Sequence, residues 1–143
     1  MTLSVISTRI AGSSASGPRN SQTDSTVAGS TVGVVGTTIG NFGYAARLSA
    51  GNMIDGSAGF LTITQAAGNV ASMAYGPGYQ GSQWAVAGAN SGYLGIRFNV
   101  GANQHYAWVR LSVALYTDAQ PRAFTLHEWG YESTPGVGIA AGD

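Results

Sequence analysis

Residues 105–115, HYAWVRLSVAL, alternate between two kinds of side chain, and this alternation limits the fold more than any other feature of the chain. All odd positions after the first are aliphatic, whereas Tyr106, Trp108 and Arg110 occupy even positions. A period of two places successive side chains on opposite faces of a β-strand. We therefore predict a strand with one aliphatic face for a core and one aromatic, charged face.

The YLGIRFNV segment before it has the same alternation, which predicts a β-hairpin. A turn centred on 102–103 opposes Ile96 to Val109, and the two aliphatic faces then coincide without adjustment. The same register opposes Arg97 to Trp108 on the other face, where a guanidinium can stack on an indole ring.

Shorter apolar segments bounded by Gly-rich or polar turns predict the remaining strands, and Asp55-Gly56 predicts one of the turns. No segment longer than a turn or two has helical periodicity. Many short strands at this spacing indicate an all-β fold, and we predict an antiparallel β-sandwich of the jelly-roll type. The additional predicted strands cover residues 31–39, 42–51, 58–66, 69–75 and 123–132, and residues 76–83 are predicted to form a loop.

The chain is predicted to divide into an N-terminal segment, residues 1–30, and a β-sandwich domain, residues 31–143. Residues 11–30 are rich in Ser, Gly and Thr, which is typical of a flexible linker. Before them, TLSVIST at 2–8 predicts a short strand that either folds back onto its own domain or completes the sheet edge of a neighbouring subunit. In the second case the side chains that fill apolar pockets of the neighbour are Leu3, Val5 and Ile6.

Charged residues make up only 8% of the chain, against about 25% in a typical soluble protein. All six cations are Arg, and the formal net charge is zero. A chain without a basic field has little to attract nucleic acid or an anionic membrane surface, so neither is predicted as a partner. The same lack of charge does little to oppose self-association, and the partner we expect is a second copy of the chain.

The absence of Cys excludes disulfides, thiolate zinc sites and cysteine nucleophiles. No apolar run of about 18 residues is present, so no membrane-spanning helix is predicted. The N-terminus has neither a basic region nor a continuous apolar region of the kind found in signal peptides. If the protein is exported, we expect this chain to be a mature or trimmed form.

The aromatic, charged face of the predicted hairpin admits several interpretations. It is either an exposed sheet stiffened by a cation–π pair or the second inner face of the sandwich. Alternatively, it is a subunit interface, in which Tyr, Trp and Arg are common anchors, or a platform on which sugar rings stack. The residues of this predicted binding or interface patch are Tyr93, Arg97, Tyr106, Trp108 and Arg110.

The segment EWGYE carries Glu128 and Glu132 four residues apart, about 13 Å along a strand. This spacing resembles that of the catalytic pair in laminarinase-like glycoside hydrolases, which have an Asp between the two. Here Gly130 occupies the middle position, so no carboxylate is left to tune the pair. We therefore predict no catalytic residues and keep glycoside hydrolysis as a remote alternative.

Phe124 and Leu126 share a strand face with Glu128 if the alternation is unbroken, which would point that carboxylate into the core. A β-bulge after Leu126 avoids this, and it would turn Trp129 and Tyr131 inward. The two histidines, His105 and His127, are expected to pack or cap at strand ends. Without Cys, an HExxH motif or a D-x-D-x-D-G loop, no metal or cofactor is predicted.

Three blocks in order, LSAGNMID, GYLGIRFNVGANQHYAWVRLSV and TLHEWGYESTPGVGIAAG, resemble those of bacterial exported proteins that end in a PEP-CTERM sorting tail. The resemblance covers about residues 46–142 and is densest from residue 92 onward. Ala107 replaces the Gly usual in that family, and Gly130 replaces its usual Ala. Neither a signal peptide nor a Pro-Glu-Pro tail is present. The resemblance implies an envelope or extracellular location and no catalytic residues.

These observations lead to one principal prediction of function. We expect a non-enzymatic, exported structural protein of the cell surface or extracellular matrix, self-assembling into a filament by N-terminal strand exchange. The first alternative is a glycan-binding module, with polysaccharide as the partner of the aromatic patch.

Overall fold

The computed structural model describes residues 7–11, 20–24, 32–39, 42–63, 71–74, 83–84, 91–115 and 121–143. Within these ranges the chain contains strands and turns but no helix, which confirms the predicted all-β class. The finer arrangement as a two-layer sandwich of the jelly-roll type stays a prediction. The strands are β1 (Ser7–Ala11), β2 (Asn20–Asp24), β3 (Val32–Ile39), β4 (Phe42–Ala45), β5 (Met53–Ile54), β6 (Phe60–Ile63), β7 (Ala71–Ala74), β8 (Ser91–Val100), β9 (Asn103–Leu115), β10 (Pro121–Tyr131) and β11 (Ile139–Ala140).

Most strands belong to one nine-stranded sheet with the order β1-β2-β7-β4-β3-β8-β9-β10. Strand β6 joins this sheet by pairing with β3, and β5 pairs with β11 in a separate two-stranded sheet. The strand pairs are antiparallel except for β4 and β7, which run parallel. Strand β10 therefore lies at one end of the sheet order, next to β9.

The β8–β9 hairpin is present, but its register differs from the predicted one by two residues. Ile96 pairs with Ala107, and Phe98 pairs with His105. The loop is the two-residue Gly101-Ala102, in which Gly101 adopts a φ of 61°, a conformation that glycine reaches without a steric penalty. A shift by two leaves every side chain on its predicted face, because the side-chain period of a strand is two.

The predicted bulge in β10 is present at His127, where the pairing with β9 shifts between Leu126 and Glu128. After the bulge, Trp129 and Tyr131 lie on the aliphatic face of the sheet, opposite Val109 and Ala107 of β9. Their predicted burial is nevertheless wrong, because both side chains remain about half exposed. Strand β10 ends the sheet order, and among the described residues no strand pairs with its outer edge.

Strand β3 changes partners along its length. Its first half pairs with β6 and β8, and its second half, from Gly36, pairs with β4. A Cβ atom on Gly36 would lie 2.3 Å from the carbonyl oxygen of Tyr44, so only glycine fits where the strands separate. The Gly36 amide donates instead to the carbonyl of Gly59 at 2.9 Å. The interruption of this strand by glycine, visible in the sequence, therefore marks the change of partner.

The aliphatic face of β8 and β9 forms the larger core, together with side chains of β3 and one residue outside the strands, Trp84. Trp84 is fully buried, and its Nε1 donates to the carbonyl of Ala45 at 3.2 Å. Arg47 holds the neighbouring Gln83, because its amide donates to Gln83 Oε1 at 2.8 Å and its Nε to the Gln83 carbonyl at 2.9 Å. Sequence reasoning did not single out Trp84 as a core residue.

Strand β2, Asn20–Asp24, lies inside the segment expected to be a flexible linker, and that expectation is wrong for these five residues. They pair with β1 on one side and with β7 on the other. The sequence NSQTD has no apolar alternation, and the strand is identified by its main-chain pairing. The predicted exchange residues Leu3, Val5 and Ile6 lie outside the described part of the chain.

The predicted Asp55-Gly56 turn is confirmed. The Ser57 amide donates to Asp55 Oδ1 at 2.8 Å, and the Ala58 amide donates to the Asp55 carbonyl at 3.1 Å. Hydrogen bonds from the Ser57 hydroxyl and then its amide lower the pKa of the Asp55 carboxyl. The turn follows β5, whose pairing with β11 brings the C-terminal residues onto the main sheet.

We expect Phe98→Ala to lower the free energy of unfolding by roughly 3–5 kcal/mol, because it removes a buried ring that stacks on His105. The matched control is Val100→Ala, on the same face of the same strand but 43% exposed, which should cost less than about 1 kcal/mol. Urea denaturation midpoints measure both. Equal midpoints for the two variants would show that Phe98 does not face the core.

Candidate functional site

The aromatic face of the hairpin is covered. Tyr106 is 2% exposed and Trp108 5% exposed, and both belong to a second core with Ile54 and Ala141. This burial agrees with one of the interpretations given above, in which the aromatic face is a second inner face of the fold. The half-buried residues that pack around this core are Val35, Leu48, Phe60, Tyr93 and Ile139.

Trp108 lies in a row across three strands, between Gly95 of β8 and Gly130 of β10. A Cβ atom on Gly130 would lie 2.8 Å from both Cε2 and Cζ2 of the indole, so the ring fits only because that residue is glycine. The ring edge packs against Tyr93 at 5.4 Å between centroids, and Nε1 donates to the carbonyl of Asp143 at 3.1 Å. The indole therefore connects the sheet to the C-terminal residues.

Arg97 does not stack on Trp108, contrary to expectation, because the true register places Tyr106 opposite it. Its guanidinium lies over the Phe60 ring, with Cζ 4.6 Å from the ring centroid. A Cβ on Gly33, the residue paired with Arg97 on β3, would come within 3.1 Å of the guanidinium Nε. A glycine thus again leaves room for a large neighbouring side chain, and the half-buried cation is held by a cation–π contact.

Arg110, the last residue of the predicted patch, forms an ion pair with Glu128 across β9 and β10. Both side chains are more than a third exposed, so the pair contributes at most about 1 kcal/mol. The bulged His127 contacts the Ser112 hydroxyl through Nε2 at 2.9 Å. These contacts give Glu128 and its neighbour structural roles at the sheet edge.

Glu132 is engaged in the turn that follows β10. Its Oε1 accepts the Thr134 amide at 2.7 Å, and this hydrogen bond is the main cause that lowers the pKa of the Glu132 carboxyl. The acid of a glycosidase needs a raised pKa instead. The Glu132 main chain also pairs with β9, donating to the Tyr106 carbonyl at 2.9 Å and contacting His105 Nδ1 through its carbonyl at 3.0 Å.

Gly130, the residue between the two glutamates, has no space for the carboxylate that the glycosidase pattern requires, because Trp108 occupies it. Across the described ranges, no group of three or more His, Asp and Glu side chains is arranged to hold a metal ion. The same ranges contain no helix long and apolar enough to cross a membrane.

The exposed apolar residues of β10 form the most distinctive surface feature of this region. Leu126, Trp129 and Tyr131 share the aliphatic face and are 57%, 51% and 43% exposed. We call these three residues the β10 strip. The rings of Trp129 and Tyr131 are nearly parallel, at 22° and 6.2 Å between centroids. In the sequence, this pair is visible only as two aromatic residues spaced two apart in the last long strand, which places them on the same face.

Comparison with known protein families, curated proteins and solved structures finds no match. A functional interpretation therefore depends on the geometry of the chain itself. Two features of β10 are relevant: the outer main-chain edge of the strand, and the aromatic pair on one of its faces.

We expect Gly130→Ala to destabilise the protein by about 1–3 kcal/mol, because the added methyl group displaces the indole of Trp108. The matched control is Gly56→Ala, whose Cβ would make an ordinary 3.4 Å contact with the Tyr106 hydroxyl and should cost no more than about 0.5 kcal/mol. Thermal unfolding measures the loss, and near-ultraviolet circular dichroism reports the ring displacement. An unchanged spectrum and midpoint in Gly130→Ala would contradict the packing described for Trp108.

Proposed function

We propose that this protein is a non-enzymatic structural protein of a bacterial cell surface or extracellular matrix that self-associates through the edge of β10. The observation that carries the proposal is the position of β10. It is eleven residues long, it ends the sheet order, and its outer edge has no strand partner among the described residues. Such an edge presents main-chain donors and acceptors to any extended segment that approaches.

The chemistry of β10 leaves part of its edge open to strand addition. The strand contains one Arg and one Glu but no Lys, the residue that most often protects sheet edges. Its glutamate, Glu128, is neutralised by Arg110. Pro121, the register shift at Arg122 and the bulge at His127 restrict where a new strand can pair, and they leave residues 123–126 and 128–131 as two short regular segments.

The donor in this proposal is the part of the N-terminal TLSVIST segment that precedes β1, residues 2–6. Its Leu3, Val5 and Ile6 supply apolar side chains for the neighbour, while its main chain completes the sheet. Head-to-tail exchange of this kind does not close on itself unless the rotation between subunits allows it, so it produces a filament. The zero net charge of the chain provides no long-range repulsion between subunits.

The extracellular location is supported by the resemblance of three ordered sequence blocks to exported PEP-CTERM proteins. The non-enzymatic assignment is supported by the contacts of the two candidate glutamates. Glu128 pairs with Arg110, Glu132 accepts a main-chain amide, and the indole of Trp108 fills the side-chain space of Gly130, the residue midway between them in the sequence.

The donor side of the self-association is tested by deleting residues 1–6, which removes the apolar donor side chains and leaves β1 intact. We expect the sedimentation-velocity size distribution to shift from large species to monomer, because the neighbour's edge loses its complementing strand. A triple variant, Leu3→Ser with Val5→Ser and Ile6→Ser, keeps the chain length and should show the same shift. Unchanged size distributions in both variants would show that the N-terminal segment does not mediate self-association.

The acceptor side is tested by placing a charge on the β10 edge. Thr125→Lys should weaken association, because an added strand would have to desolvate the new ammonium group. The matched control, Ser133→Lys, adds the same charge at an exposed residue outside the strand and should leave the size distribution unchanged. Equal association by the two variants would show that β10 is not the acceptor edge.

The absence of enzymatic activity is tested with Glu128→Gln and Glu132→Gln. We expect no reducing-sugar release from laminarin or lichenan by the wild-type protein or by either variant. The loss of the Arg110 ion pair in Glu128→Gln should lower stability by no more than about 1 kcal/mol. Wild-type release of reducing sugar that disappears in either variant would overturn the non-enzymatic assignment.

A further inference from the structure

We propose that Trp129 and Tyr131 form a stacking platform for a neutral polysaccharide. This goes beyond self-association, because it uses a side-chain face of β10 rather than the main-chain edge. The glycan platform predicted at the hairpin is not the same surface, since its Trp108 and Tyr106 are buried.

The two rings form a stacked, nearly parallel pair, and both keep exposed surface. Their planes differ by 22°, their centroids are 6.2 Å apart, and each side chain is about half exposed. An aromatic face carries partial negative charge, which attracts the partially positive C–H groups on the face of a pyranose ring. Two neighbouring rings along one strand therefore suit an elongated ligand with consecutive sugar units.

The platform is supported from within the fold. Tyr131 contacts the edge of Phe98 at 6.4 Å between centroids, and Phe98 is buried and stacks on His105. Trp129 lies opposite the buried Val109 of β9. Ring positions held by a packed core lose little further freedom when a ligand binds, which favours binding by a small surface.

The charges around the platform favour a neutral ligand. Along this face of β8, β9 and β10, the described side chains include no Arg, Asp or Glu. Glu128 lies on the opposite face in its pair with Arg110, and Glu132 is held by the Thr134 amide. Asn103 and the Tyr131 hydroxyl remain as polar groups on this face that can bind sugar hydroxyls.

The exposed area argues against a protein partner at this surface. A buried aromatic side chain removes roughly 150–250 Å² from water, so the two half-exposed rings offer on the order of 200 Å² together, and Leu126 of the same strip adds a smaller area. A stable protein interface needs roughly 800 Å² on each side. A linear polysaccharide compensates for a small contact by repeating it along the polymer on many protein copies.

The test is affinity electrophoresis of the full chain through gels containing hydroxyethylcellulose, laminarin, galactomannan or alginate. We expect at least one of the three neutral polysaccharides to retard the protein, and the anionic alginate not to retard it. Trp129→Ala and Tyr131→Ala should each lower the apparent affinity about tenfold or more. The matched control is Leu126→Ala, which removes an exposed apolar side chain of the β10 strip that has no aromatic ring. This variant should bind like the wild-type protein.

Trp129→Phe keeps an aromatic face and should retain more binding than Trp129→Ala, which separates loss of stacking from loss of folding. No retardation by any neutral polysaccharide overturns the proposal, and so does equal retardation of wild type and Trp129→Ala. Sedimentation without polysaccharide distinguishes the two proposals. A size distribution changed by Trp129→Ala but not by Leu126→Ala would identify the ring pair as a protein interface and would also overturn the glycan assignment.

Discussion

The packing of the Trp108 indole over Gly130 is the constraint on which much of the described structure depends. Gly130 of β10 leaves space for the ring, and on β8 the residue paired with Trp108 is Gly95. The ring nitrogen then binds the carbonyl of Asp143, which holds the C-terminal residues over the sheet. Because of this contact, the aromatic face of the hairpin becomes a second core instead of a binding surface.

Strand β9 has buried side chains on both faces of the main sheet. The next strand, β10, contributes side chains to the same faces but has no further strand beside it among the described residues. Its main-chain edge and its aromatic pair are therefore exposed for the same reason, yet they offer different chemistry. Main-chain groups at an edge recognise another extended chain, whereas ring faces recognise apolar faces of a ligand. The two proposals assign one function to each.

The comparison of the two glutamates with a glycosidase pair illustrates how packing limits chemistry. The spacing of Glu128 and Glu132 in the sequence is compatible with catalysis, but spacing alone does not set the environment of a carboxyl. The structure gives Glu128 a cation and Glu132 a main-chain amide, and the latter lowers the pKa of its carboxyl. The glycine between them is explained by the neighbouring indole, a contact between strands that no local pattern predicts.

The sequence by itself determined the all-β class, the faces of the hairpin, the Asp55-Gly56 turn and the bulge after Leu126, because each follows from a local period or from turn chemistry. The tertiary structure decided the hairpin register, the strand in NSQTD, the burial of Trp84 and Trp108 and the exposure of Trp129 and Tyr131. A period of two tells which residues share a face, but it does not tell what covers that face. Burial depends on strands distant in sequence, and the order of those strands is a property of the folded chain alone.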